Sequence, residues 1–183
     1  MDIQVPSDPE LLELAQQFDP QALAQIYDAY SPGLYRYAMR LLGDQNQAED
    51  CIAETFSRFL QALQARRGPE SYLQAYLFRV AHNWIVDQYR RDPIPPVELT
   101  EEYQDESASP EKDAVQHLRQ ERLRSAIKTL TPDQQQVIAL KYLEGWENED
   151  IARSLKKPIG AIKSMQHRAL ATLQRTLGDE EFL

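Results

Sequence analysis

From Ile151 to Arg175 the chain carries Arg153, Lys156, Lys157, Lys163, Arg168 and Arg175 and no carboxylate. Such a segregated cationic stretch is the footprint expected where protein meets phosphate, because each neutralised phosphate also releases condensed counter-ions. A solvated helix face is the plainer alternative. Within the stretch Ile162, Met165, Ala169, Leu170, Leu173 and Leu177 recur at helical spacing, which leaves Ala161, Lys163, Ser164, His167 and Arg168 outside the apolar stripe. Near a helix N-terminus such side chains reach base edges, and the unpaired N–H groups favour a phosphate. Lys163, His167 and Arg168 are the best candidates for contacts, although His167 suits an ordinary surface position equally well.

Two other clusters are chemically suggestive. The helix expected at about 71–91 has a polar face of Arg79, His82, Asn83, Asp87, Arg90 and Arg91, interleaved with Tyr72, Tyr76, Trp84 and Tyr89. Cations beside aromatic rings suit single-stranded or unstacked bases; for Tyr76 and Trp84 a place in the core is the simpler assignment. Arg66 and Arg67, in the preceding break, either clamp phosphate or are merely solvated. Asp44, Glu49, Asp50 and Glu54 form an acidic face on the helix expected at 46–65. No nucleophile, base or metal partner falls beside them, so this face is either a protein-docking surface or a solubilising one.

Nothing points to catalysis. There is no glycine-rich phosphate loop and no nucleophile elbow. The single Cys51 excludes an internal disulfide and a thiolate zinc cluster, and suggests a reducing compartment. His82, His117 and His167 are far apart and lack metal-ligand spacing. No cofactor or metal is expected, and the chain is not expected to be an enzyme.

The elements that must position these clusters are helices. Asp8-Pro9, Asp19-Pro20 and Ser31-Pro32 each place a capping side chain before a proline at the first helical position, where its missing N–H costs nothing. Those signals predict three short helices before Gly43, then the long ones at 46–65 and 71–91. Further on, residues 114–130 carry Leu118, Leu123, Ile127 and Leu130. Thr131-Pro132-Asp133-Gln134 reads as a capping box, and Asn148 can cap a short helix through Ile151 and Leu155. The tight turn at Lys156-Lys157-Pro158 before the last helix suggests a helix-turn-helix. No stretch alternates as a strand would. The expected fold is all-α: two small helical domains joined by an acidic, proline-rich linker, the second a four-helix domain containing the helix-turn-helix.

The linker is compositional. Of the chain's 183 residues, Asp92–Asp113 hold four prolines and eight acidic residues against Lys112 alone, a net charge of −7. Low hydrophobicity with high charge makes a poor core, so the chain divides into 1–91, a flexible linker 92–113, and 114–183. The whole carries net −9 with a pI near 4.9, which taken alone argues against nucleic acid. Divided by segment the objection dissolves, because the acidity sits mainly in the linker while the proposed recognition segment carries +6. No apolar run approaches the roughly 20 residues of a membrane helix, and the acidic start lacks the basic region of a secretory signal. No membrane insertion is expected, and the expected location is cytoplasmic.

At the level of ordered motifs the chain resembles the extracytoplasmic-function (ECF) sigma factors, which belong to the sigma-70 family. Tyr35–Ala38 through Gly43-Asp44, then Gln47–Phe56, resemble region two. Ala75–Arg91 looks like that family's promoter-melting and minus-ten-reading helix. Leu130–Pro132, Gln135–Ile138, Glu149–Ala152, Gly160–Ser164 and His167–Leu170 resemble region four. The similarity covers about 20–91 and 114–177 in the family's order.

The resemblance implies a promoter-specificity subunit that works by binding energy. Asp50 and Glu54, with Asp44 and Glu49 adjacent, would dock on the clamp helices of the largest subunit of core RNA polymerase, and the flap region would be a second contact. Arg79, Asn83, Asp87, Arg90 and Arg91 fall where the family contacts minus-ten DNA, and loop 65–71 where it captures a flipped base. Ala161, Lys163, Ser164, His167 and Arg168 would meet the minus-35 major groove. An anti-sigma factor is an expected partner. The chain departs from the family at Ala53, often glutamine; at Lys156, usually glycine; at Pro158-Ile159, usually a polar cap; and at Met165, commonly arginine. Two other readings remain at this point: a free-standing helix-turn-helix regulator, and a sigma-like interaction module that opens no DNA.

Overall fold

The computed structural model describes residues 8–91 and 110–178. Among the described residues all regular structure is helical: α1 Asp8–Gln16, α2 Pro20–Leu42, α3 Gln45–Gln64, α4 Leu73–Arg91, α5 Pro110–Lys128, α6 Pro132–Ile138, α7 Asn148–Leu155 and α8 Ile159–Leu177. The first half, α1–α4, packs around Ile26, Leu34, Tyr37, Cys51, Phe59, Leu77 and Ile85. The second, α5–α8, packs around Ile127, Leu140, Ile151, Ile162 and Leu173. The segment 92–109 lies outside the described residues, and α5 begins at Pro110, within the stretch given to the linker by composition.

Several predicted ends hold. Asp19 caps α2 by accepting the Ala22 N–H at 2.8 Å. Asp44, expected on the acidic face of the following helix, is instead its cap, accepting the Gln47 N–H at 2.8 Å. Thr131 and Gln134 form the reciprocal capping box. Gly43 ends α2 at φ 73°, with the Arg124 guanidinium folded against its face.

Two expectations about helix ends are corrected. The segments predicted as separate helices around Ser31-Pro32 are one helix, α2, with Pro32 inside it. An interior proline costs about 3 kcal/mol through a lost hydrogen bond and a ring clash. Against that, one apolar stripe runs unbroken from Ala22 and Ile26 to Leu34, Tyr37, Ala38 and Leu41. Each large side chain fully buried along it is worth about 1.5–3 kcal/mol, and a break would turn half the stripe out of the core. Asn148, expected to cap α7, is its first helical residue; Glu147 precedes it without a side-chain cap. Its amide oxygen instead accepts from Gln166 Nε2 at 2.7 Å, tying the start of α7 to α8.

The two halves are packed against each other, chiefly α4 on α7 and on α6. His82, expected on the polar face of α4, is buried between them at 2% exposure. Its Nε2 lies 2.9 Å from the Pro132 carbonyl and its Nδ1 2.8 Å from the Tyr37 hydroxyl. The carbonyl can only accept, so Nε2 carries the proton and Nδ1 of the neutral ring accepts from Tyr37. Burial raises the Tyr37 pKa well above its usual value, which keeps that hydroxyl a donor.

Around this contact, Phe78 of α4 packs between Tyr37 and Trp146, with ring centroids 5.3 and 5.2 Å away. A π-helical turn at Ala139–Leu143 presents the Leu143 carbonyl and the Glu144 carboxylate to Arg40 of α2, the latter at 3.1 Å. Ser154 of α7 donates to the Ala75 carbonyl of α4 at 3.3 Å. The Lys128 ammonium sits 4.5 Å over the Tyr89 ring, whose hydroxyl donates to the Leu41 carbonyl.

Burial lowers the His82 pKa from 6.5 to about 4, against the opposing pull of the Pro132 carbonyl and the Asp133 carboxylate. The folded value lies below the unfolded one, so the unfolded chain takes up the extra proton first as pH falls. Stability from the neutral buried ring is therefore complete above about pH 6.5 and lost progressively towards pH 4. By pH 4.5 this group should remove about 2–3 kcal/mol. Urea unfolding of the full chain and of His82→Gln at pH 7.5 and 4.5 tests this. The neutral variant should lose that much less, while Asp133 and Glu144, present in both chains, cancel in the difference; equal losses would contradict the assignment.

Candidate nucleic-acid interface

Helix α8 presents its polar face as the periodicity predicts. Ile162, Met165, Ala169 and Leu173 are buried, whereas Lys163, Ser164, His167 and Arg168 are exposed and Ala161 is half-buried. Met165, at the position commonly arginine in the family, belongs to the core here rather than to the reading face. The Arg168 Nε donates back to the Ser164 carbonyl at 3.3 Å, leaving the guanidinium edge outward. Pro158 precedes α8 with no side-chain cap, so the first-turn N–H groups are not taken by a capping oxygen.

The turn into α8 is strained. Lys156 sits at φ 52°, ψ 44°, and the Lys157 N–H closes the end of α7 on the Ala152 carbonyl at 3.0 Å. A left-handed residue with a Cβ costs about 1 kcal/mol relative to glycine. The helix-turn-helix therefore forms with lysine where the expected pattern has glycine.

On α4 the spacing of 79, 83, 87 and 90–91 places the remaining polar residues along one side. Asn83, Arg90 and Arg91 are exposed, and Arg79 and Asp87 are half-buried. Arg79 lies 5.6 Å over the Tyr76 ring, and Arg90 is 3.7 Å from the Asp87 carboxylate. Tyr76 and Trp84 pack partly buried against the core, the simpler of their two assignments. Tyr72 differs. It ends the α3–α4 loop at φ 52° and stands 60% exposed, with the Arg153 guanidinium of α7 5.3 Å over its ring. Arg66, in the same loop, is also left-handed at φ 51°. Strain of this kind persists only where surrounding structure holds it, and it concentrates at functional sites.

The acidic cluster occupies the N-terminal part of α3. Asp50 and Glu49 are exposed, Glu54 is half-buried and paired with Arg58 at 2.7 Å, and Glu49 accepts from Gln45 at 2.8 Å. Asp44 stands apart from these as the helix cap. Ala53 is exposed between them and leaves the face without a side-chain amide. Among the described residues no group of His, Cys, Asp and Glu could hold a metal ion.

The sequence matches the sigma-70 region 2 family model over residues 26–92 and the sigma-70 region 4 family model over 120–173. It is 33% identical over 156 residues to the ECF RNA polymerase sigma factor SigL of Mycobacterium tuberculosis, covering 83% of this chain and 86% of that protein. The chain belongs to the ECF sigma factors. These are RNA polymerase sigma factors and not catalytic enzymes. The ECF sigma factor BldN of Streptomyces coelicolor is 33% identical over 174 residues, 93% of this chain and 66% of that protein, so the chain spans just under two thirds of this relative. Among solved structures, the sigma factor RpoE in complex with the anti-sigma factor NepR from Bartonella quintana superposes with a TM-score of 0.53. It is 25% identical and covers 84% of this chain and 95% of that one.

Sequence reasoning missed the residues that join the halves of this sigma factor: Phe78, His82 as a buried group, Trp146 and Arg40. Only the mismatch between Phe78 and a polar-face assignment for its neighbours could have signalled it. For the exposed face of α8, the outward guanidinium edge of Arg168 gives a direct expectation. Arg168→Ala should weaken binding to a minus-35 duplex by about 1–3 kcal/mol if it reads a base. Fluorescence anisotropy at fixed salt measures this, and unchanged affinity would remove Arg168 from the interface.

Proposed function

We propose that this sigma factor directs core RNA polymerase to its promoters by dividing the work among three surfaces. The acids of α3 (exposed Glu49 and Asp50, half-buried Glu54, with Asp44 at the cap) dock on the clamp helices of the largest subunit, and the second half meets the flap region. The α4 face with the α3–α4 loop engages the minus-ten element and its melted strand. Helix α8 enters the minus-35 major groove through Lys163, Ser164, His167 and Arg168, with Ala161 at its edge. The division 1–91, 92–113 and 114–183 is part of this reading, as is a cytoplasmic location. Among the described residues no helix is long and apolar enough to cross a membrane. The likeness to RpoE bound to NepR supports an anti-sigma partner of the same kind.

The observation that carries this reading is the ordered pair of family matches, each falling on a half whose site-bearing face is exposed. It has a geometric corollary. Elements named for positions about 25 base pairs apart are about 85 Å apart at 3.4 Å per base pair. The two halves are here in contact, with α7 on α4, so both elements can be read together only after the halves part. The 18 residues between Arg91 and Pro110 allow a separation of up to about 65 Å when extended, and the helices themselves add the rest.

Transcription from genomic templates by core polymerase, with and without the folded chain, tests the reading. New start sites should appear only with the chain and should be lost in Asp50→Lys/Glu54→Lys. No new start site, or tight promoter binding by the chain without polymerase, would contradict it.

A further inference from the structure

A cavity of about 460 Å³ lies where the α3–α4 loop, the first turns of α4 and the end of α7 meet. Both halves build its wall. Arg66, Arg67 and Arg79 come from the first, Arg153 and Lys156 from the second, and Glu70 is its one carboxylate. Asp150, on α7 outside the wall, pairs with Arg153 and leaves the other four cations unmatched by it. Tyr72, exposed at the rim, offers a flat ring, with Tyr76 beneath the Arg79 guanidinium. Of the four non-glycine residues with positive φ among the described residues, Arg66, Tyr72 and Lys156 all line this cavity. Left-handed backbone at Arg66 and Tyr72 shapes one wall of it, and the left-handed cap of α7 at Lys156 shapes the other.

The chemistry selects a ligand class. The volume lies in the usual range for small-molecule sites. Guanidinium and ammonium groups contributed to one cavity by both halves suit an anion with several charges on a short tail, and Arg–phosphate pairing supplies the geometry. An exposed tyrosine beside arginines takes a base by stacking. A single strand offers the same chemistry with only one charge per nucleotide, spread along a backbone.

We propose that this cleft binds a free nucleoside polyphosphate. Its phosphates are held between Arg66 and Arg67 on one wall and Arg153 and Lys156 on the other, with its base on Tyr72. A ligand held this way ties the two halves together and favours the closed arrangement over the parted one that promoter reading needs.

The test uses the full chain, with methylanthraniloyl-GTP as the fluorescent probe at low ionic strength. Saturable binding is expected, displaced by GTP and by inorganic tripolyphosphate but not by guanosine. Arg153→Ala and Lys156→Gly, each in the second half, should weaken it about tenfold or more, as loss of a charge-assisted contact implies. Lys156→Gly also relieves the left-handed strain at that position, so its fold is not at risk. Arg119→Ala, on α5 away from the cleft, should change nothing. Absence of saturable binding would overturn the proposal. So would affinity unchanged in both second-half variants, or displacement by a short single strand as effective as by tripolyphosphate. Promoter-directed transcription is read separately, so failure here leaves the sigma assignment intact.

Discussion

The arrangement of the molecule depends on one neutral imidazole. His82 donates to the Pro132 carbonyl of the second half and accepts from Tyr37 within the first. It can do both at once only uncharged, in one tautomer, and away from water. The other contacts between the halves include an aromatic stack at Phe78 and Trp146, cations over the Tyr89 and Tyr72 rings, the ion pair of Arg40 with Glu144 and the Ser154 hydroxyl. The closed arrangement is thus held by a dry polar bond, apolar packing and several polar contacts around it.

Function is distributed by charge in a way the whole-chain average conceals. In the proposed reading the cationic stretch on α7 and α8 would meet DNA and the acidic face of α3 would meet protein, while Asp92–Asp113 alone carries a net charge of −7. The net charge of −9 describes none of these surfaces, because charges farther apart than about 10 Å are screened from each other at moderate salt. Closing the halves also brings cations from both of them around one cavity, a juxtaposition absent from either half alone.

What the sequence made legible was whatever depends on local pattern. The caps at Asp19 and Thr131, the buried stripe of α8 and its exposed Lys163, Ser164, His167 and Arg168 all follow from spacing of three and four residues and from side-chain chemistry. Where long-range packing outweighed a local signal, pattern failed. Pro32 reads as a helix start, but the shared stripe on both sides of it keeps α2 whole. Asn148 reads as a cap, but Gln166 from α8 takes its oxygen. His82 sits between Ala81 and Asn83 like any polar-face residue, and its burial is set by Tyr37 and Pro132, which are 45 and 50 positions away.

The central claim is that two halves closed on His82 must part for promoter reading. Paired labels at exposed Gln61 of α3 and Gln174 of α8 measure it directly by resonance energy transfer. The native Cys51 does not interfere, because it is buried and its thiol pKa is pushed up to about 12. The account predicts one distance for the free chain, that of the closed arrangement, and a separation larger by tens of ångströms, on the scale of the roughly 85 Å between promoter elements, on core polymerase with promoter DNA. An unchanged distance in the transcribing complex would contradict it.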